Sequence, residues 1–159
     1  MWLVIGDTGP INYLILIGYI DLLPHLFERV ALPLAVQAEL SDPLAPVEVQ
    51  RWMAAPPSWL EIHDTAGLPL VSGLDDGETA AIALAESLCA DMLLIDERRG
   101  HRVALQKGLR ATGTLGLLDL AAERGLIDFA RAIHALQRTT FRRPDALLNK
   151  LLKKHKENN

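Results

Sequence analysis

The sequence predicts a three-layer α/β/α sandwich built round a central parallel sheet, and three observations predict it. Short apolar runs alternate with longer segments of helical period, the pattern of strands joined by crossover helices. Two of the runs, residues 2–6 and 92–95, contain no polar side chain, as a strand covered on both faces requires. Each is followed at once by an aspartate, Asp7 and Asp96, and then by a segment that opens a helix.

Residues 2–6 read as a buried strand, and Asp7-Thr8-Gly9-Pro10 as a turn into a helix with Pro10 in its first turn. The apolar run 11–23 is interrupted by Asn12 and Asp21 and is shorter than the ~20 residues that span a bilayer, so no membrane segment is expected. Residues 29–32 form the next strand candidate. Pro33 then opens a helix through Leu40 that carries Glu39 near its end, and a helix over 47–53 stops before Pro56-Pro57. Residues 59–62 are extended and 65–73 form a loop. Ala81, Leu84, Ala85 and Leu88 give 75–88 an amphipathic helical spacing. After the strand at 92–95 comes a basic helix over 97–107, which Gly108 closes, and a further strand at 109–112. Helices are expected over 114–123, 128–138 and 144–156. One domain over 1–152 with a polar tail over 153–159 accounts for the whole.

At 159 residues, 50% hydrophobic and 23% charged, the chain buries a core without staples and is not wholly disordered. Cys89 is the only cysteine, so no internal disulfide can form, and its place after the helical pattern reads as a small buried hydrophobe. With no basic leader before Asp7, a reducing cytoplasm is the expected location. The net charge of −4 argues against nucleic acid until it is divided along the chain. Residues 1–97 hold two basic side chains against fifteen acids, and residues 98–159 hold fourteen against five. An acidic part suited to cations is thus joined to a basic part suited to phosphates. Two solvated faces of opposite sign would look the same.

Chemistry in open parallel sheets collects beyond the carboxyl ends of the strands, where Asp7 and Asp96 are expected to sit as neighbours. Like charges brought together there need a cation or a retained proton. Either aspartate taken alone can be a helix cap. Glu78 belongs to a capping box opened by Asp75, and Glu39 alone is an ordinary helix residue. The set of four in their order is what points to a site.

Asp7 after the first strand, Glu39 in Val-Gln-Ala-Glu-Leu, Glu78 in Gly-Glu-Thr-Ala-Ala-Ile-Ala-Leu-Ala and Asp96 in Leu-Leu-Ile-Asp-Glu resemble the acidic pattern of the PIN-domain (PilT N-terminus-like) superfamily. Ile5-Gly6-Asp7-Thr8-Gly9-Pro10, Leu22-Leu23-Pro24, Arg98-Arg99-Gly100 and Gly113-Thr114-Leu115-Gly116-Leu117-Leu118 extend the resemblance over nearly the whole chain, toward an uncharacterised prokaryotic branch related to VapC-type toxins. The resemblance implies a PIN-like sandwich and a metal-dependent ribonuclease whose catalytic and metal-binding acids are Asp7, Glu39, Glu78 and Asp96, with Thr8 supporting them. It also implies the toxin of a toxin-antitoxin pair, with a small antitoxin protein as partner. Two positions depart from the pattern: Gly9 stands where a serine is common, and Glu78 where many relatives have aspartate. Glu97 adds an acid beside Asp96 that would serve as an accessory ligand.

An all-oxygen donor set with no cysteine or histidine cluster suits Mg2+ or Mn2+ rather than zinc. One or two such ions would activate water and stabilise the leaving oxygen of an RNA phosphodiester. Arg98, Arg99 and Arg102, with His101 among them, follow the last acid at a helix N-terminus and would hold substrate phosphates, if they are not simply its solvent-facing surface. His101 reads as a polar surface residue. A homodimer is expected from the apolar run 11–23. A phosphotransferase or phosphatase using Asp7 as nucleophile lacks a second aspartate shortly after it, and Gly6 and Gly9 do not give a dinucleotide loop. The rival of a different class is a PIN fold that binds or assembles without cleaving.

Overall fold

A computed structural model describes residues 2–69 and 73–157. Its contacts divide the chain into one unit over Met1–Thr114 and a second over Leu115–Asn159. The first unit holds five strands, β1 (Leu3–Gly6), β2 (Arg29–Pro33), β3 (Leu60–His63), β4 (Met92–Leu94) and β5 (Ala111–Thr112), in the order β3-β2-β1-β4-β5. Every pairing is parallel, with Ile5 opposite Ala31 and Leu93, and Leu93 opposite Ala111.

Parallel pairing requires a crossover between successive strands. The crossovers are α1 (Thr8–Leu16) with α2 (Leu22–Leu26), α3 (Leu34–Leu40) with α4 (Val47–Ala54), α5 (Asp76–Ser87), and α6 (Arg98–Gln106). On one face of the sheet Leu3, Ile5, Ala31, Leu93 and Ile95 pack with Ala81, Ile82 and Ala85 of α5. Gly6 points the other way. A Cβ there would stand 2.7 Å from Ile11 of α1 and 2.9 Å from Leu32, so the absent side chain lets α1 lie close beneath β1. Both faces of β1 are thereby covered, which explains its unbroken apolar run.

The second unit contains most of α7 (Thr114–Glu123), whose first residue belongs to the first unit, together with α8 (Phe129–Gln137) and α9 (Asp145–Glu157). His155 of α9 is buried, stacks on Phe129 with ring centroids 4.4 Å apart, and bonds Asp119 of α7 at 2.7 Å. Lys154 donates to the same carboxylate at 2.9 Å and also to Glu123. Residues 153–157 thus lie in the helix expected over 144–156 and are tied down at two side chains.

The structure also resolves the apolar run 11–23 and corrects the reading of Cys89. The apolar run 11–23 is two helices separated by a turn, in which Gly18 has a φ of +80°, and it sends Ile11, Leu14, Ile20, Leu22 and Leu23 inward. Cys89 is exposed instead of buried. Helix α5 ends at Ser87, and Cys89 follows with a φ of +51° while its amide bonds Glu86 O and the Ala90 amide bonds Ala85 O. That closing turn directs the thiol outward. Of the loop expected over 65–73, residues 70–72 lie outside the described residues.

Candidate metal centre

The register that pairs Gly6 with Leu94 brings the ends of β1 and β4 side by side, and the Asp7 amide continues the ladder with a 2.9 Å bond to Leu94 O. Asp7 and Asp96 thus leave neighbouring strands in the same direction. Neither behaves as the local cap its position suggests. Asp7 is the N-cap residue of α1 but makes no side-chain capping bond, and Glu97, not Asp96, is the N-cap residue of α6.

Asp7 is 6% exposed, and its Oδ1 is buried with no hydrogen-bond partner. Burial is the main cause that pushes its pKa from 3.8 up to about 7; the Thr8 amide opposes the shift, and Asp75, Glu78 and Glu39 add to it by like-charge repulsion. Glu78, in the first turn of α5, is likewise pushed up to about 7, first by burial, then by its contact with Asp75, with Glu97 adding repulsion. The capping box that it forms with Asp75 is present, with the Glu78 amide 2.7 Å from Asp75 Oδ1. Glu78 is therefore both a cap and a member of the acidic group.

Thr8 Oγ1 donates to Glu39 Oε2, which ties the start of α1 to the last turn of α3. This hydroxyl was expected to hold Asp7 or a metal-bound water. Instead the Thr8 backbone serves Asp7 and its side chain serves Glu39, because the helix turns the side chain toward α3. Asp96 is held from the far side: Thr114 N donates to its Oδ1 at 2.7 Å and Thr114 Oγ1 to its Oδ2 at 2.7 Å.

Glycines back three of the four carboxylates. A Cβ on Gly77 would lie 2.7 Å from Glu39 Oε1, one on Gly100 2.7 Å from Glu78 Oε2, and one on Gly113 2.5 Å from Asp96 Oδ1. Gly9 faces Asp96 Oδ2 with room for a Cβ at 3.5 Å, so the family serine missing there would have stood beside Asp96 rather than Asp7.

Glu39, Glu78 and Asp75 thus stand within electrostatic reach of Asp7, while Asp96 leaves the neighbouring strand and is held by Thr114; Asp75 was expected only as a cap and Thr114 only as part of a motif. Gly9, Asp96 and Gly113 meet from distant parts of the sequence, so no local spacing could have revealed the arrangement. Glu97 is exposed at the head of α6 within electrostatic reach of Glu78. Arg98, Arg99 and Arg102 are exposed on α6, with the Arg99 guanidinium over Gly73, where a Cβ would lie 2.9 Å from Nη2. His101 is half-buried.

The donors fit a hard divalent cation in kind: they are oxygens, and one of them, Asp7 Oδ1, is buried without any partner. They do not yet form a closed cage. Among the described residues, no three His, Cys, Asp or Glu side chains are spaced to hold one ion as they stand, so binding would draw carboxylates inward.

A parallel sheet with acids gathered past its strand ends defines an acid-centred α/β protein. The PIN domain family model matches residues 3–157, and the chain belongs to that family, whose members are generally nucleases and typically use divalent metal ions. Among solved structures, the chain is similar to a PilT N-terminus domain protein from the hyperthermophilic archaeon Sulfolobus solfataricus P2, at 16% identity and a TM-score of 0.53, covering 74% of this chain and 90% of that one. At that identity the likeness concerns the fold. No curated protein matches the chain. No helix among the described residues is long and apolar enough to cross a membrane.

Proposed function

We propose that this chain is a metal-dependent endoribonuclease that hydrolyses RNA phosphodiester bonds at Asp7, Glu39, Glu78 and Asp96. The observation that carries the reading is the buried Asp7 carboxylate, whose Oδ1 has no partner and whose neighbours Glu39, Asp75 and Glu78 repel it. Among the described residues the Thr8 amide offsets that placement only in part, and a divalent cation would offset the rest. Asp7 and Asp96 would hold Mg2+ or Mn2+, with Glu39 and Glu78 completing the ligands directly or through water and Glu97 accessory to them. When bound, the ion supplies Lewis acidity toward the phosphodiester and lowers the pKa of an attacking water. Thr8 fixes Glu39. Arg98, Arg99 and Arg102 would hold RNA phosphates on the exposed side of α6.

Cleavage of structured and single-stranded RNA by matched preparations of wild type, Asp7→Asn and Asp96→Asn tests the reading, with Mn2+ and with chelator. Wild-type cleavage that requires Mn2+ and disappears in both variants supports it. Equal cleavage by all three proteins would sink it. That no three acids among the described residues are spaced to hold one ion as they stand favours a second reading, a PIN fold that binds without cutting, and absence of cleavage by wild type would put that reading ahead. A toxin role would appear as growth arrest on expression, relieved by a small protein encoded beside it. Half-buried Tyr13, Ile15, Leu16 and Ile17 would form the contact of a homodimer, which light scattering checks.

A further inference from the structure

We infer that Gly113 and Thr114 form a carboxylate cradle that sets the orientation of Asp96 before a cation arrives, which makes Thr114 a positioning residue of the site. The inference rests on the proposed metal-dependent function. Thr114 meets both oxygens of one carboxylate, its amide bonding Oδ1 and its hydroxyl bonding Oδ2, each at 2.7 Å. Two bonds from one residue fix the plane of the carboxylate as well as its direction, where a single bond would leave it free to swivel. Thr114 is 0% exposed, so water has no route to replace its hydroxyl.

Gly113 makes this geometry possible. A Cβ there would stand 2.5 Å from Asp96 Oδ1 and 3.5 Å from Ile95 O, pushing the carboxylate away from the Thr114 amide. Gly9 lies on the other side, where a Cβ would meet Oδ2 at 3.5 Å. Asp96 is therefore flanked by two residues without side chains and gripped by a third that donates twice. Asp7, by contrast, keeps an oxygen with no partner. A ligand already oriented loses less freedom on binding, so the cradle should raise cation affinity.

Thr114→Val keeps the shape and the backbone amide and removes the hydroxyl; Thr114→Ser restores it. Calorimetric titration of chelator-stripped proteins with Mn2+ should show affinity lower by about 10- to 100-fold for Thr114→Val and within about threefold of wild type for Thr114→Ser. Thermal melts in chelator run alongside separate folding from positioning. A valine variant that melts lower yet binds Mn2+ as wild type does would overturn the inference while leaving the proposed function standing. Weak binding by both variants would overturn it as well, because the serine hydroxyl should rescue. Wild type that binds no Mn2+ would remove the proposed function first and this inference with it.

Discussion

Replacing Asp7 by Asn should make the metal-free protein more stable at neutral pH, and the size of the gain follows from the site. Asp7 titrates near 3.8 when unfolded and at about 7 when folded, so the folded state holds its proton over the intervening range. A carboxyl whose pKa rises on folding favours the folded state less as pH increases: the penalty is absent below about pH 4, grows to about pH 7 and is complete above it. The full gap is roughly three pKa units, a ceiling of about 4 kcal/mol. Because the side chain is only 6% exposed, solvent screening removes little of this. Asparagine keeps the shape and carries no charge, so it escapes the repulsion of Asp75, Glu78 and Glu39. We expect a gain of about 2–4 kcal/mol at pH 8 in chelator, or roughly 5–15 °C in melting temperature for a chain of this length. By pH 5 the gain should shrink by roughly 2–3 kcal/mol, since the wild-type penalty is then partly relieved. A hundredfold excess of Mn2+ over Kd should narrow or close the gap by stabilising wild type by about 2.7 kcal/mol while leaving the variant unmoved. Melts of both proteins at pH 5 and pH 8, with chelator and with Mn2+, measure all of this. A variant less stable than wild type in chelator at pH 8, or one whose advantage is the same at both pH values, would refute the electrostatic account.

Cys89→Gly should stabilise the first unit by about 0.5–1 kcal/mol, because a left-handed residue at a helix end is cheapest without a Cβ; unchanged denaturant midpoints would count against this. Gly77→Ala would gain about 1 kcal/mol as a helix substitution in isolation. Here the new Cβ strikes Glu39 at 2.7 Å, so melting temperature should not rise and Mn2+ titration should show weaker binding. Arg99→Ala should weaken RNA binding equally across sequences and lower the slope of log K against log salt by about one, with Mn2+ affinity unchanged. An unaltered slope would place Arg99 outside the RNA path.

The strands and helices were legible because buried parallel strands and their crossovers carry distinct periods, and residues 2–6 and 92–95 show this most clearly. The four acids were singled out through their order, and the structure puts two of them, Glu39 and Glu78, within electrostatic reach of Asp7. What was not legible depends on the direction a side chain takes after the chain has folded. Thr8, expected to hold its neighbour Asp7 or a metal-bound water, reaches Glu39, 31 residues on. Thr114 holds Asp96 across 18 residues and a strand pairing that sequence spacing does not encode. Cys89 was misread because the apolar pattern of α5 continues to Leu88 although its closing turn has already begun. Arg98, Arg99 and Arg102 are exposed as expected, a position that suits both an RNA contact and a solvated helix face.

The glycines behind the carboxylates set a trap for anyone trying to harden this protein. Exchanging helical glycines for alanine is a standard route to thermostability, and Gly77 and Gly100, inside α5 and α6, are the positions such a programme would choose first. Each exchange would put a methyl group where a carboxylate oxygen now lies, 2.7 Å from the new carbon in both cases. Neither exchange should therefore raise the melting temperature, because a carboxylate, and at Gly100 also the buried Ile95 at 2.4 Å, must give way. Cation affinity has to be screened together with heat resistance, since the helix propensity forgone at these two positions is what keeps room for the acids.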